Sequence, residues 1–322
     1  MMKNRVAILR GGPSSEYEVS LKTGKSVMDN LADRYEVLDI FIDKEGTWHY
    51  QGAPITPEKL FKKIDVVFNA LHGSYGEDGT VQKILDRFNI PYTGSTALAS
   101  AVGMNKVLSK KIYKNNNLKT PIHTTISKES NSPVEILKLF KTFPMPAVVK
   151  PVSGGSSVGT AIAKTLSDLE QAVTEALKYS DTALIEEFIS GKEATCGVID
   201  NFRNEAVYSL IPVEIRKPAE SDFFDYNAKY SGKSQEICPG NFTAVEKQMI
   251  QKIAIDAHKA LGLRHYSRSD FIIHPKRGIY ILETNTLPGL TSESLLPKSL
   301  QAVGCSLPDF LDHLLKLALE GR

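Results

Sequence analysis

Two apolar stretches near the end of the chain could bring metal-binding side chains together. Residues 267–273 and 278–285 flank a short segment that contains proline and glycine. Apolar stretches around such a segment are typical of an antiparallel hairpin. If residues 275–278 form the loop, His274 faces Ile279, and this pairing fixes the register of the whole hairpin.

That register places four polar side chains on one face of the hairpin. Asp270 faces Glu283 and Arg268 faces Asn285, and side chains two residues apart share a face. Two opposed carboxylates repel each other unless a cation lies between them. Carboxylate and amide oxygens suit Mg²⁺, which completes its shell with water and substrate phosphates. The pattern predicts a nucleotide–metal site with an arginine beside it; the alternative is a solvated strand face without function.

The composition indicates a globular protein with no charge bias toward a polyanion. The chain has 322 residues, enough for two or three domains, with 42% hydrophobic and 24% charged residues. A net charge of +2 favours neither nucleic acid nor an anionic membrane as partner. The three cysteines (Cys196, Cys238 and Cys305) fit neither a disulfide framework nor a C-x-x-C metal site. No apolar run has signal-peptide or membrane-span length, so we expect a cytoplasmic protein.

The first hundred residues alternate strand and helix patterns. Residues 6–9 and 65–71 are predicted strands. Each is followed by a glycine-containing loop and then by a predicted helix, residues 16–31 and 80–88. Such alternation predicts a parallel sheet, with ligands at the loops that follow the carboxyl ends of the strands.

Residues 153–159, rich in serine and glycine, are the candidate phosphate loop. Glycines allow the backbone to approach an anion, and consecutive N–H groups can cradle phosphate oxygens. The loop joins two predicted strands, 147–150 and 160–163, and lacks a terminal G-K-[ST]. Its candidate lysines are Lys150, which precedes it, and Lys106. This context argues against a Walker loop and a dinucleotide fingerprint, both of which lead into a helix; a hairpin without ligand is the alternative.

Changes in pattern along the chain predict three domains. An N-terminal α/β domain spans residues 1–97, a central domain 98–190 and a C-terminal domain 191–322. Residues 217–242 form a long polar and aromatic segment without a clear element, which predicts a lid or binding loop. A helix is predicted at 245–261. Its apolar positions recur at spacing four, at Val245, Met249, Ile253, Ala257 and Leu261.

Several motifs, taken in chain order, cover nearly the whole sequence. They are residues 11–20 (GGPSSEYEVS), 70–73 (ALHG), 76–79 (GEDG), 91–95 (PYTGS), 149–151 (VKP), 155–159 (GSSVG), 225–230 (DYNAKY) and 283–291 (ETNTLPGLT). Together they resemble the D-alanine–D-alanine ligase family of the ATP-grasp superfamily. The resemblance implies an α/β fold in which an N-terminal parallel-sheet domain precedes central and C-terminal α+β domains that sandwich ATP.

The resemblance also implies the reaction. A carboxylate repels an amine nucleophile and has a poor leaving group, so ATP would convert one D-alanine into an acyl phosphate. The amine of a second D-alanine would then attack, giving D-alanyl-D-alanine, ADP and phosphate for peptidoglycan precursor synthesis. Cations should dominate a site that joins two anions. The family implies small-molecule substrates, a cytoplasmic location and a homodimer.

The family implies a set of groups that contact ATP. Lys106 and Lys150 would contact the α- and β-phosphates, and Lys229 the γ-phosphate. Glu186 and Glu193 would reach the adenine and the ribose. The full set is Lys106, Lys150, Ser156, Ser157, Glu186, Glu187 and Ile189 (both through the backbone), Glu193, Lys229 and Asn285.

The implied metal ligands are the hairpin residues Asp270, Glu283 and Asn285. They would bind two Mg²⁺ ions that bridge the phosphates, and Mn²⁺ could substitute. Glu187 stands where the family often has lysine, so a contact between its side chain and ATP is not expected.

The first D-alanine would be held at the N-terminal domain. Glu16 would bind its ammonium group and His72 would lie near its carboxylate. Ser156 and Tyr230 would hydrogen-bond with Glu16 and close the lid, which excludes water from the acyl phosphate. From the residues alone, Glu16 is equally an acid in the first turn of a helix, and His72 a structural histidine.

The remaining implied groups serve the reaction and the second substrate. Arg268 and the backbone N–H of Gly289 would stabilise the developing oxyanion. Ser294 and Leu295 would receive the carboxylate of the second D-alanine at a helix N-terminus.

Three other functions fit part of the pattern. A depsipeptide ligase that makes D-alanyl-D-lactate, or another carboxylate–amine ligase of the superfamily, is the first; in the family Tyr230 favours the peptide product. A dinucleotide-dependent oxidoreductase is the second, but Gly11 and Gly12 lack the G-x-G-x-x-G spacing. The third is a nucleotide-binding regulatory protein without turnover.

Overall fold

The computed structural model describes residues 3–155, 157–216 and 235–321, which contain three sheets. The N-terminal sheet has the strand order β4-β3-β2-β1-β5. Its elements are β1 (Arg5–Gly11), α1 (Tyr17–Leu31), β2 (Glu36–Ile42), β3 (Trp48–Tyr50), β4 (Ala53–Pro54), α2 (Pro57–Phe61), β5 (Val66–Asn69) and α3 (Thr80–Arg87).

The centre of this sheet is parallel, as predicted, and its edge is not. Strand β1 pairs in parallel with β2 and β5, whereas β3 and β4 add antiparallel pairs. Residues 6–9 of β1 are fully buried, as expected for a strand covered on both faces. The loops after β1 and β5 leave the same edge of the sheet, which brings Glu16 and His72 together.

The central sheet is antiparallel, with the order β6-β9-β7-β8. Ile136, Leu169 and Val173 pack two helices against it. The serine–glycine loop joins β7 to β8, so the prediction that it runs from strand to strand is confirmed. The elements are α4 (Ala97–Met104), α5 (Lys106–Asn115), β6 (His123–Ser127), α6 (Pro133–Thr142), β7 (Ala147–Pro151), β8 (Ala161–Ala163), α7 (Leu166–Ala176) and β9 (Thr182–Glu187).

The C-terminal sheet has the order β13-β12-β10-β14-β15, and β11 also pairs with β10. Its elements are β10 (Lys192–Phe202), β11 (Glu205–Ser209), β12 (Val213–Arg216), β13 (Gln235–Ile237), α8 (Ala244–Ala260), β14 (Tyr266–His274), β15 (Gly278–Asn285), α9 (Leu295–Ala302) and α10 (Leu307–Glu320). Each sheet lies within one of the three predicted domain ranges, so we retain that division as a proposal.

Helix α8 forms where predicted, and the apolar series at spacing four runs from its exposed face to its buried face. Val245 is 72% exposed and Met249 is 46% exposed. The face that packs on the sheet carries Ile250, Ala254 and Ala257. A series at spacing four advances about 40° per step around a helix of 3.6 residues per turn. Its start and end therefore lie on different faces.

The hairpin of β14 and β15 has the predicted register around the polar residues and a different one near its tip. Arg268 pairs with Asn285 and Asp270 with Glu283, as predicted. At the tip, His274 pairs with Gly278 and not with Ile279. The turn is one residue shorter than expected, and a β-bulge after Asp270 absorbs the difference.

Most of the predicted lid segment, residues 217–234, lies outside the described residues. The expectation that 217–242 contains no element was wrong at its end, because β13 pairs with β12 through residues 235–237. Among the helices that the structure describes, none combines the length and apolar character needed to cross a lipid bilayer.

Candidate active site

A cavity of about 1190 Å³ lies between the serine–glycine loop, the N-terminal domain loops and the β14–β15 hairpin. Every predicted site residue within the described part of the chain lines it. They are Glu16, His72, Lys106, Lys150, Ser157, Glu186, Glu187, Ile189, Glu193, Arg268, Asp270, Glu283, Asn285, Gly289, Ser294 and Leu295. The predicted Ser156, Lys229 and Tyr230 lie outside the described residues.

Asp270 is the centre of the polar hairpin face. Arg268 donates to both of its oxygens, from Nε at 3.1 Å and from Nη2 at 3.1 Å. Asn285 Nδ2 donates to Oδ2 at 3.1 Å, and the Thr195 hydroxyl on the adjacent strand donates to Oδ1 at 2.6 Å. The carboxylate is therefore held in one orientation by donors from both neighbouring strands.

The hairpin face has the donor set of a Mg²⁺ site that is completed by its ligand. Asp270 and Glu283 are paired across the strands, which places two carboxylates side by side. The amide nitrogen of Asn285 is engaged with Asp270, which leaves its amide oxygen as the atom that could bind a cation. In the described ranges no three His, Cys, Asp or Glu side chains form a metal cluster, so water and phosphate oxygens would supply the other ligands.

Arg268 lies beside this face as a fixed positive charge. Burial lowers the pKa of its guanidinium, but Asp270 and Glu283 outweigh burial, and the net shift of the pKa is upward. The side chain is 18% exposed. An arginine so placed remains charged at every working pH and can neutralise an anion in the cavity.

Lys106 connects the hairpin to the serine–glycine loop. Asn105 caps α5 with its side chain, which starts the helix at Lys106. The Lys106 ammonium donates to the carbonyl of Gly154 at 2.7 Å and lies 3.7 Å from Oε2 of Glu283. Burial lowers the pKa of Lys106, and Glu283 partly offsets that shift.

Lys150 and Glu186 lie on the adjacent strands β7 and β9 and meet diagonally, because Val148 is the register partner of Glu186. The Lys150 ammonium lies 2.6 Å from Oε2 of Glu186, and Lys110 pairs with Oε1 of the same carboxylate. Burial raises the pKa of Glu186, but the two lysines outweigh burial and hold the pKa at about 2. Glu186 is therefore a permanent anion, flanked by two cations at the cavity wall.

The side chain of Glu187 is engaged away from the phosphate loop. Its Oε1 accepts from the backbone N–H of Ile122 at 3.0 Å, and its Oε2 accepts from Arg277 at 2.6 Å. Both contacts fix the strand end that carries Ile189 into the cavity. This arrangement agrees with a backbone role for Glu187 and Ile189.

Glu16 and His72 lie at the end of the cavity formed by the N-terminal domain. Glu16 precedes α1, and its carboxylate lies so close to Gly155 that a Cβ atom there would collide with it. His72 Nε2 hydrogen-bonds with the Thr23 hydroxyl at 2.9 Å. Burial lowers the pKa of His72, so its imidazole is a neutral hydrogen-bonding group.

The N-terminus of α9 also lines the cavity. Ser294 is the cap residue, but its hydroxyl bonds to Thr291 and makes no capping bond to the helix. The first N–H groups of the helix remain available to an anion. Gly289 lies beside them, since a Cβ on it would be 2.8 Å from Oγ of Ser294.

Two family models match the chain. The model described as D-ala D-ala ligase C-terminus matches residues 112–316, and the model described as D-ala D-ala ligase N-terminus matches residues 5–60 and 51–95. The chain belongs to the D-alanine–D-alanine ligase family.

Curated proteins named D-alanine–D-alanine ligase are similar in sequence to this chain over nearly its whole length. The relative from Clostridium beijerinckii is 38% identical over 98% of this chain and 99% of its own length. The relative from Syntrophobacter fumaroxidans is 39% identical over 99% and 98%.

Solved structures have the same fold. The D-alanine–D-alanine ligase from Coxiella burnetii has a TM-score of 0.85 at 29% identity, over 100% of this chain and 95% of that one. VanG D-Ala:D-Ser ligase from Enterococcus faecalis has a TM-score of 0.84 at 30% identity, over 98% and 100%. The fold of this ligase-family chain is the ATP-grasp fold, as predicted.

The structure adds three residues that the sequence analysis missed in this ligase site. Thr195 orients Asp270, and Lys110 pairs with Glu186. Glu77 is a third: its carboxylate accepts from the backbone N–H of Gly73 at 2.9 Å and from that of Leu287 at 2.9 Å. Glu77 belongs to the G-E-D-G motif, which was the available signal, but nothing in the motif indicates which acid points inward.

Burial and the nearby Glu16 raise the pKa of Glu77 to about 8. Its two backbone donors belong to different predicted domains. Glu77 therefore ties the loop after β5 to the loop after β15, on which Gly289 lies.

Proposed function

We propose that this chain joins two D-alanines into D-alanyl-D-alanine, with ATP converted to ADP and phosphate. The observation that carries the proposal is the shared face of Arg268, Asp270, Glu283 and Asn285, with Lys106 at its edge. A cationic and carboxylate-rich wall of this kind suits the transfer of a phosphoryl group to a carboxylate. Membership of the ligase family supports the same reaction.

The nucleotide would lie between the central and C-terminal sheets. Lys106 and Lys150 would bind the α- and β-phosphates, with backbone groups of the serine–glycine loop around Ser157. Glu186 and Glu193 would face the base and the ribose. Divalent metal ions, when bound at Asp270, Glu283 and Asn285, neutralise phosphate charge; we propose two Mg²⁺ ions, with Mn²⁺ able to substitute.

The first D-alanine would bind between the N-terminal loops and Arg268. Glu16 accepts its ammonium group, and the neutral His72 donates or accepts near its carboxylate. Arg268 and the N–H of Gly289 would stabilise the negative charge that develops on the carbonyl oxygen when the amine attacks the acyl phosphate, and phosphate then leaves.

The second D-alanine would bind at the N-terminus of α9. Its carboxylate would be received by Ser294 and by the backbone N–H of Leu295; the N–H of Ser294 itself donates to the carbonyl of Thr291 at 2.9 Å. Three residues outside the described part of the chain complete the proposal on the basis of the family resemblance: Lys229 would bind the γ-phosphate, and Ser156 and Tyr230 would hydrogen-bond with Glu16. We further propose a cytoplasmic homodimer, which size-exclusion chromatography with light scattering would test.

The deciding experiment is ADP release measured in a coupled assay. We expect release that depends on D-alanine and Mg²⁺ and that yields D-alanyl-D-alanine, with L-alanine inactive. D-Lactate and D-serine are included as second substrates, because VanG is named a D-Ala:D-Ser ligase. Preferential formation of a D-alanyl-D-lactate or D-alanyl-D-serine product near pH 7 would contradict the proposed peptide product.

A further inference from the structure

Lys110 is a fully buried lysine with no role in the proposed reaction. It lies on α5, one turn beyond Lys106, and its side chain is 0% exposed. Its ammonium group pairs with Oε1 of Glu186 and donates to the hydroxyl of Thr120 at 2.7 Å. A buried ammonium group is retained at a high desolvation cost unless it is paired. The buried position of Lys110 is therefore best explained by its ion pair with Glu186.

Glu186 is held between two ammonium groups that differ in their access to the cavity. Lys110 lies behind the carboxylate, whereas Lys150 is 11% exposed and lines the cavity. When Lys150 turns toward a phosphate, its contact with Glu186 at 2.6 Å is weakened. Lys110 does not line the cavity, so a phosphate bound there does not compete with Glu186 for its ammonium group.

The consequence concerns the charge of Glu186 in the nucleotide-bound protein. Without Lys110, a buried carboxylate whose remaining partner has moved would either take up a proton or retain Lys150. With Lys110, the carboxylate stays ionised while Lys150 is engaged. An ionised carboxylate only accepts hydrogen bonds, whereas a protonated one also donates.

We propose that Lys110 is a positioning residue for base selectivity, which keeps Glu186 an obligate acceptor for the exocyclic amine of a 6-aminopurine nucleotide. The proposal rests on the proposed function, in which Glu186 faces the base. Adenine presents an amino group at position 6, whereas guanine presents an acceptor oxygen there. An acceptor facing an acceptor repels, so Lys110 acts through Glu186 to favour ATP over GTP.

The test is the dissociation constant (Kd) of Mg-ATP and of Mg-GTP, measured by isothermal titration calorimetry without D-alanine. The wild type should bind ATP more tightly. Lys110→Met should reduce the ratio of the two Kd values by about tenfold or more, the value of a hydrogen bond to a charged group. Lys111→Met, at the exposed neighbouring position on the same helix, is the matched control and should leave the ratio unchanged.

Glu186→Gln and the double variant separate this role from a purely structural one. Glutamine can donate as well as accept, so Glu186→Gln should also lose selectivity. If Lys110 acts through Glu186, adding Lys110→Met to Glu186→Gln changes the ratio no further. The double variant removes both buried charges and covers the case in which Lys110→Met alone does not fold.

Two results would overturn the proposal: a folded Lys110→Met that keeps the wild-type ratio, or a double variant that is selective when Glu186→Gln is not. Equal binding of ATP and GTP by the wild type would also overturn it. The proposed ligase activity fails independently, by an absence of D-alanine-dependent ADP release in a wild type that still binds ATP selectively.

Discussion

Replacement of Arg268 by methionine removes a charge and keeps much of the side-chain volume. Asp270 loses two hydrogen bonds but keeps those from Thr195 and Asn285, so its carboxylate stays paired. The loss of folding stability should be about 2 kcal/mol, close to that of a charge-assisted hydrogen bond. Stripping a buried charge of every partner costs about 3–5 kcal/mol.

The effect on turnover should be much larger than the effect on binding. Removing one preorganised donor to a developing oxyanion costs about 10²–10³ in kcat, and a charged donor lies at the upper end. Coupled ADP release at saturating D-alanine measures kcat, and calorimetry measures the Kd for Mg-ATP. We expect kcat to fall about 10³-fold while the Kd changes less than about threefold.

Arg87→Met, which removes an exposed arginine from α3, is the control and should leave kcat unchanged. Two results would show that the role of Arg268 is wrong. One is a variant that keeps kcat within about tenfold of the wild type. The other is loss of ATP binding in a folded variant, which would make Arg268 a nucleotide ligand.

Three further predictions follow from the site. Burial raises the pKa of Glu77 from 4.5 to about 8, so the stability that its protonation contributes is fully present below pH 4.5 and is lost as the pH rises through 8. The melting temperature of Glu77→Gln should therefore fall less between pH 5 and 8 than that of the wild type. An equal fall in both proteins would contradict the raised pKa of Glu77. Thr195→Val should raise the Mg²⁺ concentration for half-maximal activity by about tenfold, because the Thr195 hydroxyl orients Asp270, the proposed metal ligand; an unchanged Mg²⁺ titration would count against this. Gly155→Ala places a methyl group against the Glu16 carboxylate and should raise the KM for D-alanine more than the Kd for ATP, to which the same loop contributes backbone groups; a larger change in the Kd for ATP would place Glu16 near the nucleotide.

The polar face of the hairpin could be predicted because strand alternation is short-range and regular. Alternation places Arg268 and Asp270 on one face of β14, and Glu283 and Asn285 on one face of β15, whereas the pairing between the two strands depends on the register. The tip could not be predicted, because a three-residue and a four-residue turn both fit proline and glycine at these positions. Only the bulge reconciles the observed turn with the predicted pairs.

The supporting contacts of the site could not be predicted because their partners are far apart in sequence. Thr195 and Asp270 are 75 positions apart, and Glu77 and Leu287 are 210 apart. No local pattern marks a threonine on a central strand as a donor to a carboxylate on the next strand. Similarly, Lys110 in a lysine-rich helix has the sequence appearance of a solvated residue, and only packing shows that it is fully buried.

The bulge in β15 has a further consequence for what one strand can offer a ligand. In a regular strand, neighbouring side chains point to opposite faces, but here Leu282 and Glu283 both line the cavity. These two successive residues therefore present an apolar surface and a negative charge to the same ligand. The Leu282 side chain suits a flat ring, and the Glu283 carboxylate suits the cations around the phosphates of that ligand. An apolar substitution at Leu282 would alter the contact with the ring and leave the net charge of the site unchanged.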